Sequence, residues 1–145
     1  MTGGLTEDEL DLLRQSFEWA RTGDLTQLAT LLTMGVPSNL TNERGDTLLI
    51  LAAYHCHDDV VRLLLDHGAD VERYNDNGQT ALGAAVFRRA TVIVTMLLEA
   101  GADPDTGPRS AREVADFFDL SDMRALLRPG VPARPSRLPG VPPSP

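Results

Sequence analysis

The chain has 145 residues, 42% of them hydrophobic and 5% aromatic, which suits the core of one small domain and argues against a large β-sandwich. The net charge is −8 with histidine neutral, so there is no general attraction to nucleic acid. One cysteine excludes an internal disulfide and fits a reducing compartment, which predicts a cytoplasmic protein. The first residues, "MTGGLTEDELDLL", have no signal-peptide pattern, and no apolar run approaches the roughly 18 residues of a membrane span.

The first predicted unit, residues 5–40, opens with an amphipathic helix. Thr6 and Glu9 have the spacing of a capping box, and Leu5 and Leu10 have the spacing of a hydrophobic staple. Apolar residues that recur at helical spacing share one face of this helix: Leu10, Leu13, Phe17 and Ala20. We expect this face to pack against the rest of the chain.

The chain then repeats itself with a period of 33 residues. The Gly-Ala-Asp triplet at 68–70 recurs at 101–103. Other pairs at the same spacing are Gly45 and Gly78, Thr47 and Thr80, Ala52 and Ala85, and Leu64 and Leu97. Many positions agree on one shift, and a fixed period of this length is the sequence signature of a repeat architecture.

The second predicted unit, residues 41–73, contains two short helices over 47–55 and 58–67. Their predicted buried residues are Leu49, Ala52 and Ala53 in the first helix and Val60, Val61, Leu64 and Leu65 in the second. Each helix is shorter than the roughly 12 residues that are stable alone in water, so each must pack on its neighbours. Gly68 stands where a helix needs a left-handed C-terminal residue, and a loop rich in Asn, Asp and Gly follows.

The third predicted unit, 74–106, repeats this plan, whereas the fourth, 107–128, is shortened and more polar. Ala115 aligns with Ala85 after a three-residue deletion. From residue 129 onwards, seven of the ten prolines predict a disordered tail over 129–145. The segment 132–137, "PARPSR", has a PxxPxR form, which leaves open that the tail itself docks on a partner.

These strings resemble the ankyrin-repeat family over about residues 8–128. "GDTLLILAAYHCHDDVVRLLLDHGADVE" and "GQTALGAAVFRRATVIVTMLLEAGADPD" follow the family pattern closely. The resemblance implies an all-α fold, an ankyrin-repeat α-solenoid of about four helix-turn-helix units with loop or β-turn fingers, occupying residues 1–128. It is similar to small bacterial-type members of the family. The family's Thr-Pro-Leu-His opening is changed to Thr-Leu-Leu-Ile at 47–50 and Thr-Ala-Leu-Gly at 80–83, so the bonds made by the family's histidine are lost or replaced.

The stretch His55-Cys56-His57 invites a metal or redox interpretation. In the repeat frame, however, Cys56 falls at the bend between two helices, where the family usually has glycine and the first unit has Gly23. Three consecutive side chains at a helix end point in different directions, so one zinc ion would rarely reach all three. We therefore interpret His57 and Cys56 as structural residues. The alternative is a small metal- or redox-responsive regulator that uses Cys56 and the neighbouring histidines.

The resemblance also implies a concave groove built from first helices and finger tips, with Tyr54, Phe87 and Phe117 at equivalent positions of successive units. We expect these three rings to form a stripe across the groove, with arginines beside it as in binding hot spots. The partner-binding candidates are Arg21, Arg44, Tyr54, His55, Tyr74, Asp76, Asn77, Gln79, Phe87, Arg88, Phe117 and Phe118.

No serine has a histidine at a catalytic spacing, and the glycines do not form a phosphate loop. Acidic pairs such as Asp58 and Asp59 are explained by helix N-termini, where negative charge is favourable. The sequence therefore predicts a non-enzymatic protein-interaction module without a cofactor, which binds a protein through the groove. We expect it to be monomeric and to bind neither nucleic acid nor membrane.

Overall fold

The structure is a computed structural model that describes residues 6–127. Eight helices occupy this part of the chain: α1 (Glu7–Thr22), α2 (Leu25–Thr33), α3 (Leu48–Tyr54), α4 (Asp58–Asp66), α5 (Ala81–Phe87), α6 (Thr91–Glu99), α7 (Ala111–Phe117) and α8 (Ser121–Leu127). Successive helices pair as helix-turn-helix units, and the units stack side by side. The first helices α1, α3, α5 and α7 form one layer and the second helices form the other, so the predicted all-α solenoid is confirmed.

The predicted tail at 129–145 lies outside the described residues, as does Leu5 of the predicted staple. Within 6–127, β-structure is limited to isolated bridges between Thr41 and Thr47, Tyr74 and Thr80, and Gln79 and Arg109. Over the same residues, the structure contains no helix that is both long and apolar enough to cross a membrane.

Small residues bring the first helices close together. Ala20, Ala52, Ala53 and Ala85 are fully buried, and a bulkier side chain would push neighbouring helices apart. The second helices contribute branched side chains, with Val60, Val61 and Leu64 fully buried as predicted. Leu65 is only partly buried, at the edge of the core.

The first helices are capped by side chains that recur in the repeat. Thr47, Thr80 and Ser110 accept hydrogen bonds from the backbone N–H groups three residues on, at 3.1, 2.9 and 3.2 Å. These bonds satisfy donors that would otherwise be orphaned and buried at the helix starts. The helix cap is thus kept although the proline and histidine of the family's opening are absent. In α1 the predicted capping box of Thr6 and Glu9 is present.

The predicted inward face of α1 is buried only in its second half. Phe17 and Ala20 are buried, Leu13 is partly buried, and Leu10 is 38% exposed. The reason is the greater length of α1. Helix α3 begins at Leu48, which corresponds to position 15 one 33-residue period earlier, whereas α1 begins at Glu7. The first turns therefore have no neighbouring first helix to cover them.

The bends between paired helices share one backbone conformation. Gly23, Cys56, Arg89 and Asp119 have φ values of 85°, 62°, 55° and 55°, all in the left-handed region. Only glycine adopts this region without a steric cost, so the interpretation of Cys56 as a bend residue is confirmed. From the third unit to the fourth, the bend residues Arg89 and Asp119 are 30 residues apart, and so are the N-cap residues Thr80 and Ser110. Gly68 and Gly101, by contrast, keep the full spacing of 33 residues. The three-residue deletion therefore lies in the loop between Gly101 and Ser110.

Two fingers are each closed by an asparagine side chain. Asn42 Oδ1 accepts from the N–H groups of Arg44 and Asp46, both at 2.9 Å. One period later, Asn75 Oδ1 accepts from the N–H groups of Asn77 and Gln79, at 3.0 and 2.9 Å. Adjacent fingers are joined, because Asn75 Nδ2 donates to Asp46 Oδ1 at 2.8 Å. The fingers therefore have a fixed shape and a fixed position relative to each other.

Candidate partner-binding groove

The concave face contains an open groove of about 830 Å³ between the fingers and the first helices. Its floor comes from α1, α3 and α5, and its wall comes from the two asparagine-closed fingers. Seven of the predicted partner-binding residues line it: Arg21, Arg44, Tyr54, His55, Asn77, Gln79 and Phe87. The repeat frame therefore brings together residues that are up to 66 positions apart in the chain.

A second hollow of about 530 Å³ continues this face toward the last unit. It is lined by Gln79, Phe87, Pro108, Arg109, Glu113, Val114, Phe117 and Phe118. Gln79 and Phe87 belong to both hollows, so the concave face is continuous across all four units.

Four rings connect the two hollows, and we call Tyr54, Phe87, Phe117 and Phe118 the aromatic cluster. Tyr54 and Phe87 stack at 6.1 Å between centroids with an interplanar angle of 8°. Phe87 meets Phe118 edge-on at 5.3 Å, and Phe118 meets Phe117 at 4.9 Å. The expected direct succession from Phe87 to Phe117 is therefore not observed: Phe118 makes the connection. No further described unit packs on α7, which leaves the Phe117 ring 82% exposed.

Basic groups lie beside the Tyr54 end of the aromatic cluster. The Arg88 guanidinium lies over the Tyr54 ring, with Cζ 5.3 Å from the centroid, which is a cation–π distance. The His55 ring contacts Tyr54 edge-on at 5.1 Å. Arg21 lines the groove nearby and forms an ion pair with Glu18 at 2.7 Å.

The position of His55 lowers its pKa below the ordinary value of 6.5. Burial is the largest cause, because it penalises the charged imidazolium, and repulsion from His57, Arg21 and Arg88 acts in the same direction. Glu18 has the opposite, smaller effect. The groove therefore tends to hold His55 in the neutral form.

The three residues of the His-Cys-His stretch have separate roles. His57 places its Nε2 2.7 Å from the carbonyl oxygen of Arg21, so it joins the second bend to the first unit. Its ring lies so close to Gly23 that a Cβ there would come within 2.6 Å of Nδ1. Cys56 is exposed at the bend, and His55 faces the groove. Across residues 6–127 there is no group of three or more His, Cys, Asp or Glu side chains placed to hold a metal ion, so the metal alternative has no support.

The remaining finger candidates lie away from the two hollows. Tyr74 is exposed and lies beside Gly107, and it lines neither hollow. Asp76 donates its backbone N–H to the Arg44 carbonyl at 2.9 Å and also lines neither.

The sequence interpretation missed several lining residues: Asn42, Asn75, Pro108, Arg109, Glu113 and Val114. The recurrence of Asn42 as Asn75 at the 33-residue period was the signal that could have identified the first two.

Stacked helix-turn-helix units with fingers and a concave face define a class of helical-repeat proteins. A family description, ankyrin repeats (3 copies), matches residues 17–107, which is more than half of the chain. The chain therefore belongs to the ankyrin-repeat family, whose repeats are a protein–protein interaction module.

Individual relatives agree with this family. The ankyrin repeat protein PA3287 of Pseudomonas aeruginosa is 49% identical over 53 residues, which cover 37% of this chain and 31% of that protein. The human ankyrin repeat and MYND domain-containing protein 1 is 51% identical over 36 residues, 25% of this chain and 4% of that protein. The crystal structure of the human ASB11 ankyrin repeat domain superposes with a TM-score of 0.69 at 28% identity, covering 77% of this chain and 52% of that one. The chain spans less than two thirds of each of these proteins.

Proposed function

We propose that this protein is a non-enzymatic, cytoplasmic interaction module that binds a protein partner in the concave groove. Binding is centred on the aromatic cluster and bordered by Arg21, His55 and Arg88. The module acts as a monomer, and it needs neither a cofactor, a membrane nor a nucleic acid.

The observation that carries this proposal is the aromatic cluster itself. Its rings contact each other, yet Phe87 is 41% exposed and Phe117 is almost fully exposed. Tyr54 packs partly against the core, whereas the three phenylalanines all remain exposed. A contiguous apolar patch on a concave face, bordered by arginine, is typical of partner-binding sites.

The test compares Phe87→Ala with a control, Arg62→Ala, which lies on α4 in the other layer. Phe87→Ala removes one stacked and one edge-on ring contact at a half-exposed site, so it should cost about 1 kcal/mol of stability. A buried phenylalanine would instead cost about 3–5 kcal/mol. Partner retention should fall much more, since an aromatic at a groove centre often contributes about 2 kcal/mol or more.

Both variants are measured by thermal melting and by retention of partners from a lysate of the native cell. We expect Arg62→Ala to retain the partner fully and Phe87→Ala to lose it while still folding. If Phe87→Ala unfolds the chain, the ring belongs to the core. If it folds and retains every partner, the groove is not the binding face.

A further inference from the structure

The second hollow, toward the last unit, presents an apolar surface to solvent. Five of its eight lining residues are apolar: Phe87, Pro108, Val114, Phe117 and Phe118. Phe118 is 49% exposed and Phe117 is 82% exposed. The lining also contains one arginine and one glutamate, so charge inside the hollow favours neither an acidic nor a basic ligand. The apolar side chains therefore decide the occupant, and the volume of about 530 Å³ lies in the range of a small ligand site.

The sequence beyond α8 contains a segment of matching chemistry. Residues 128–145, which lie outside the described part of the chain, read "RPGVPARPSRLPGVPPSP". The string Pro-Gly-Val-Pro occurs twice, at 129–132 and at 139–142, and Leu138 precedes the second copy. Proline-rich segments dock on aromatic-lined grooves because their polyproline II backbone is preformed and leaves its carbonyl groups free to accept hydrogen bonds.

The described chain ends beside the helix that lines this hollow. Arg112 Nη1, in the first turn of α7, donates to the carbonyl oxygen of Leu127 at 3.1 Å. Glu113, the next residue of α7, lines the hollow. Among the described residues no further unit packs on α7, so the route around this helix from α8 to the concave face is not covered by another helix.

The length of this route selects the second Pro-Gly-Val-Pro string. Packed helices lie about 8–10 Å apart and are about 10–12 Å across, so the path from α8 to the concave side of α7 is at least about 15 Å. Val131 of the first string is four residues beyond Leu127, which span at most about 14 Å. Val141 of the second string is fourteen residues beyond Leu127, which span up to about 50 Å. Only the second string can therefore lie in the hollow.

Charge also attracts this segment to the end of the stack. The stretch 128–137, which covers the route, contains Arg128, Arg134 and Arg137 and no acid. The described residues carry a net charge of −11, because they contain 21 acids and ten arginines. The excess of acid is present locally as well, since residues 101–127 contain six acids and three arginines. This attraction is screened by salt.

We propose that the segment from Leu138 to Pro142 docks in the second hollow of its own chain. Its leucine and valine side chains pack on the phenylalanine rings, and the side chains of Gln79 and Arg109 donate to its backbone carbonyl groups. Docking does not depend on the proposed function. It makes the segment a competitor of any partner that extends onto Phe117, while the main groove between the fingers stays open.

The covalent connection makes even a weak contact effective. A short linker supplies an effective concentration in the millimolar range, so a contact with a dissociation constant of about 1 mM fills the hollow about half of the time. Such an occupancy adds little to the free energy of unfolding, because the gain grows only with the logarithm of the bound ratio. The melting temperature is therefore a poor measure of docking, and the experiment observes the hollow directly.

The experiment attaches a nitroxide spin label at position 144 of the full-length chain, through Ser144→Cys in a Cys56→Ala background, and records the amide NMR signals. We expect the signals of Arg109 and Val114 to lose about half of their intensity or more relative to the reduced label, as an occupancy of about one half implies. The signal of Arg62, on α4 in the other layer, should keep its intensity.

Matched variants test the segment and the hollow separately. Val141→Ser should restore the signals, whereas Val131→Ser makes the same change in the first Pro-Gly-Val-Pro string and should leave the loss unchanged. Phe117→Ser removes a ring that is 82% exposed, so the fold is kept while the signal loss at Arg109 should shrink. Higher salt should reduce the loss, since it screens the attraction of the three arginines.

Four results would overturn the proposal. Full intensity at Arg109 and Val114 would show that the segment stays away from the hollow, and an equal loss at Arg62 would show a contact without a fixed site. An equal effect of Val131→Ser and Val141→Ser would show that reach does not select the second string. Signal loss that passes from a spin-labelled chain to a separate, unlabelled chain in dilute solution would assign the segment to a second copy. None of these results bears on partner binding in the main groove, so the proposed function is tested independently.

Discussion

At the scale of single residues, Cys56 stands at a backbone position that glycine occupies in the first unit. Its φ of 62° places Cβ against the backbone, and Arg89 and Asp119 share this strain at the later bends. Those two residues make ion pairs from the bend, Arg89 with Asp122 at 2.6 Å and Asp119 with Arg124 at 2.8 Å. Cys56 is exposed, and its Sγ makes a long contact of 4.0 Å with the carbonyl oxygen of Tyr54.

Cys56→Gly should therefore leave the free energy of unfolding unchanged or raise it by up to about 1 kcal/mol, because glycine removes the strain. Cys56→Ala, which removes the thiol but keeps Cβ, should be close to neutral. Chemical denaturation of the three proteins measures this difference. A loss of melting temperature in Cys56→Gly that appears only with zinc would instead support the metal-responsive alternative.

His55 makes the stability of the protein depend on pH. Because its pKa is lowered in the folded chain, the unfolded chain binds more protons in the range from 6.5 down to the folded value. Stability from this residue is complete above 6.5 and is lost as the pH falls through that range. Replacement by Gln removes the effect, so wild type should lose more stability than His55→Gln between neutral pH and about pH 5. Equal losses in denaturation at the two pH values would show that His55 titrates normally.

At the scale of elements, the fingers depend on asparagine more than on the weak bridges between their ends. Asn42 and Asn75 make the same two bonds within their own fingers. Asn75 is buried and also donates to Asp46 in the preceding finger. Its loss would leave several buried polar groups without partners.

Asn75→Ala should lower the free energy of unfolding by about 2 kcal/mol, since a buried polar group left unpaired costs roughly 1–3 kcal/mol. Asn42→Ala is the comparison, because it breaks the same two Oδ1 bonds within a finger. Asn75→Ala also removes the bonds from Nδ2 to Asp46 in the preceding finger and to Gln79, at 2.8 and 3.3 Å. Asn42→Ala should lower the free energy of unfolding by less than Asn75→Ala does, with both variants measured by urea denaturation. Equal losses in the two variants would mean that the bond from Asn75 to Asp46 adds nothing.

At the scale of the whole molecule, one continuous hydrophobic core extends along the stack from Phe17 in α1 to Leu127 in α8. Each first helix packs on the next first helix, and each second helix packs on the next second helix, so stability spreads through neighbouring interfaces. The last described unit covers α5 and α6, because α7 packs on α5 and α8 packs on α6. Met123 and Leu127 in α8 are almost completely buried, which shows that this unit is part of the packed stack.

A chain that ends at Thr106 should therefore melt at a lower temperature and aggregate, because the sides of α5 and α6 become exposed to water. A chain that ends at Leu127 keeps every described interface and should melt like the full-length protein. Thermal melting and size-exclusion chromatography compare the two. If the shorter chain stays soluble and equally stable, the fourth unit is not a cap.

Much of this architecture could be predicted from the sequence because it depends on neighbouring residues. The helix starts follow from Thr47, Thr80 and Ser110, whose side chains reach the N–H three residues on. The bends follow from the recurring position of Gly23 and Cys56, and the buried faces follow from helical spacing. The period then repeats each local feature from one unit to the next, so seven candidates lie along one groove.

Only the tertiary structure decided which side chains meet. That Phe118 rather than Phe117 contacts Phe87, that Leu10 is exposed and that Arg88 covers Tyr54 depend on where the neighbouring helix ends. The pairing of six arginines, and the lack of an ion-pair partner for Arg44, Arg88 and Arg109, likewise depend on distances across units in the described chain. Local backbone preferences are encoded in a few consecutive residues, whereas the direction of a long side chain is set by the surface that it meets after the units have stacked.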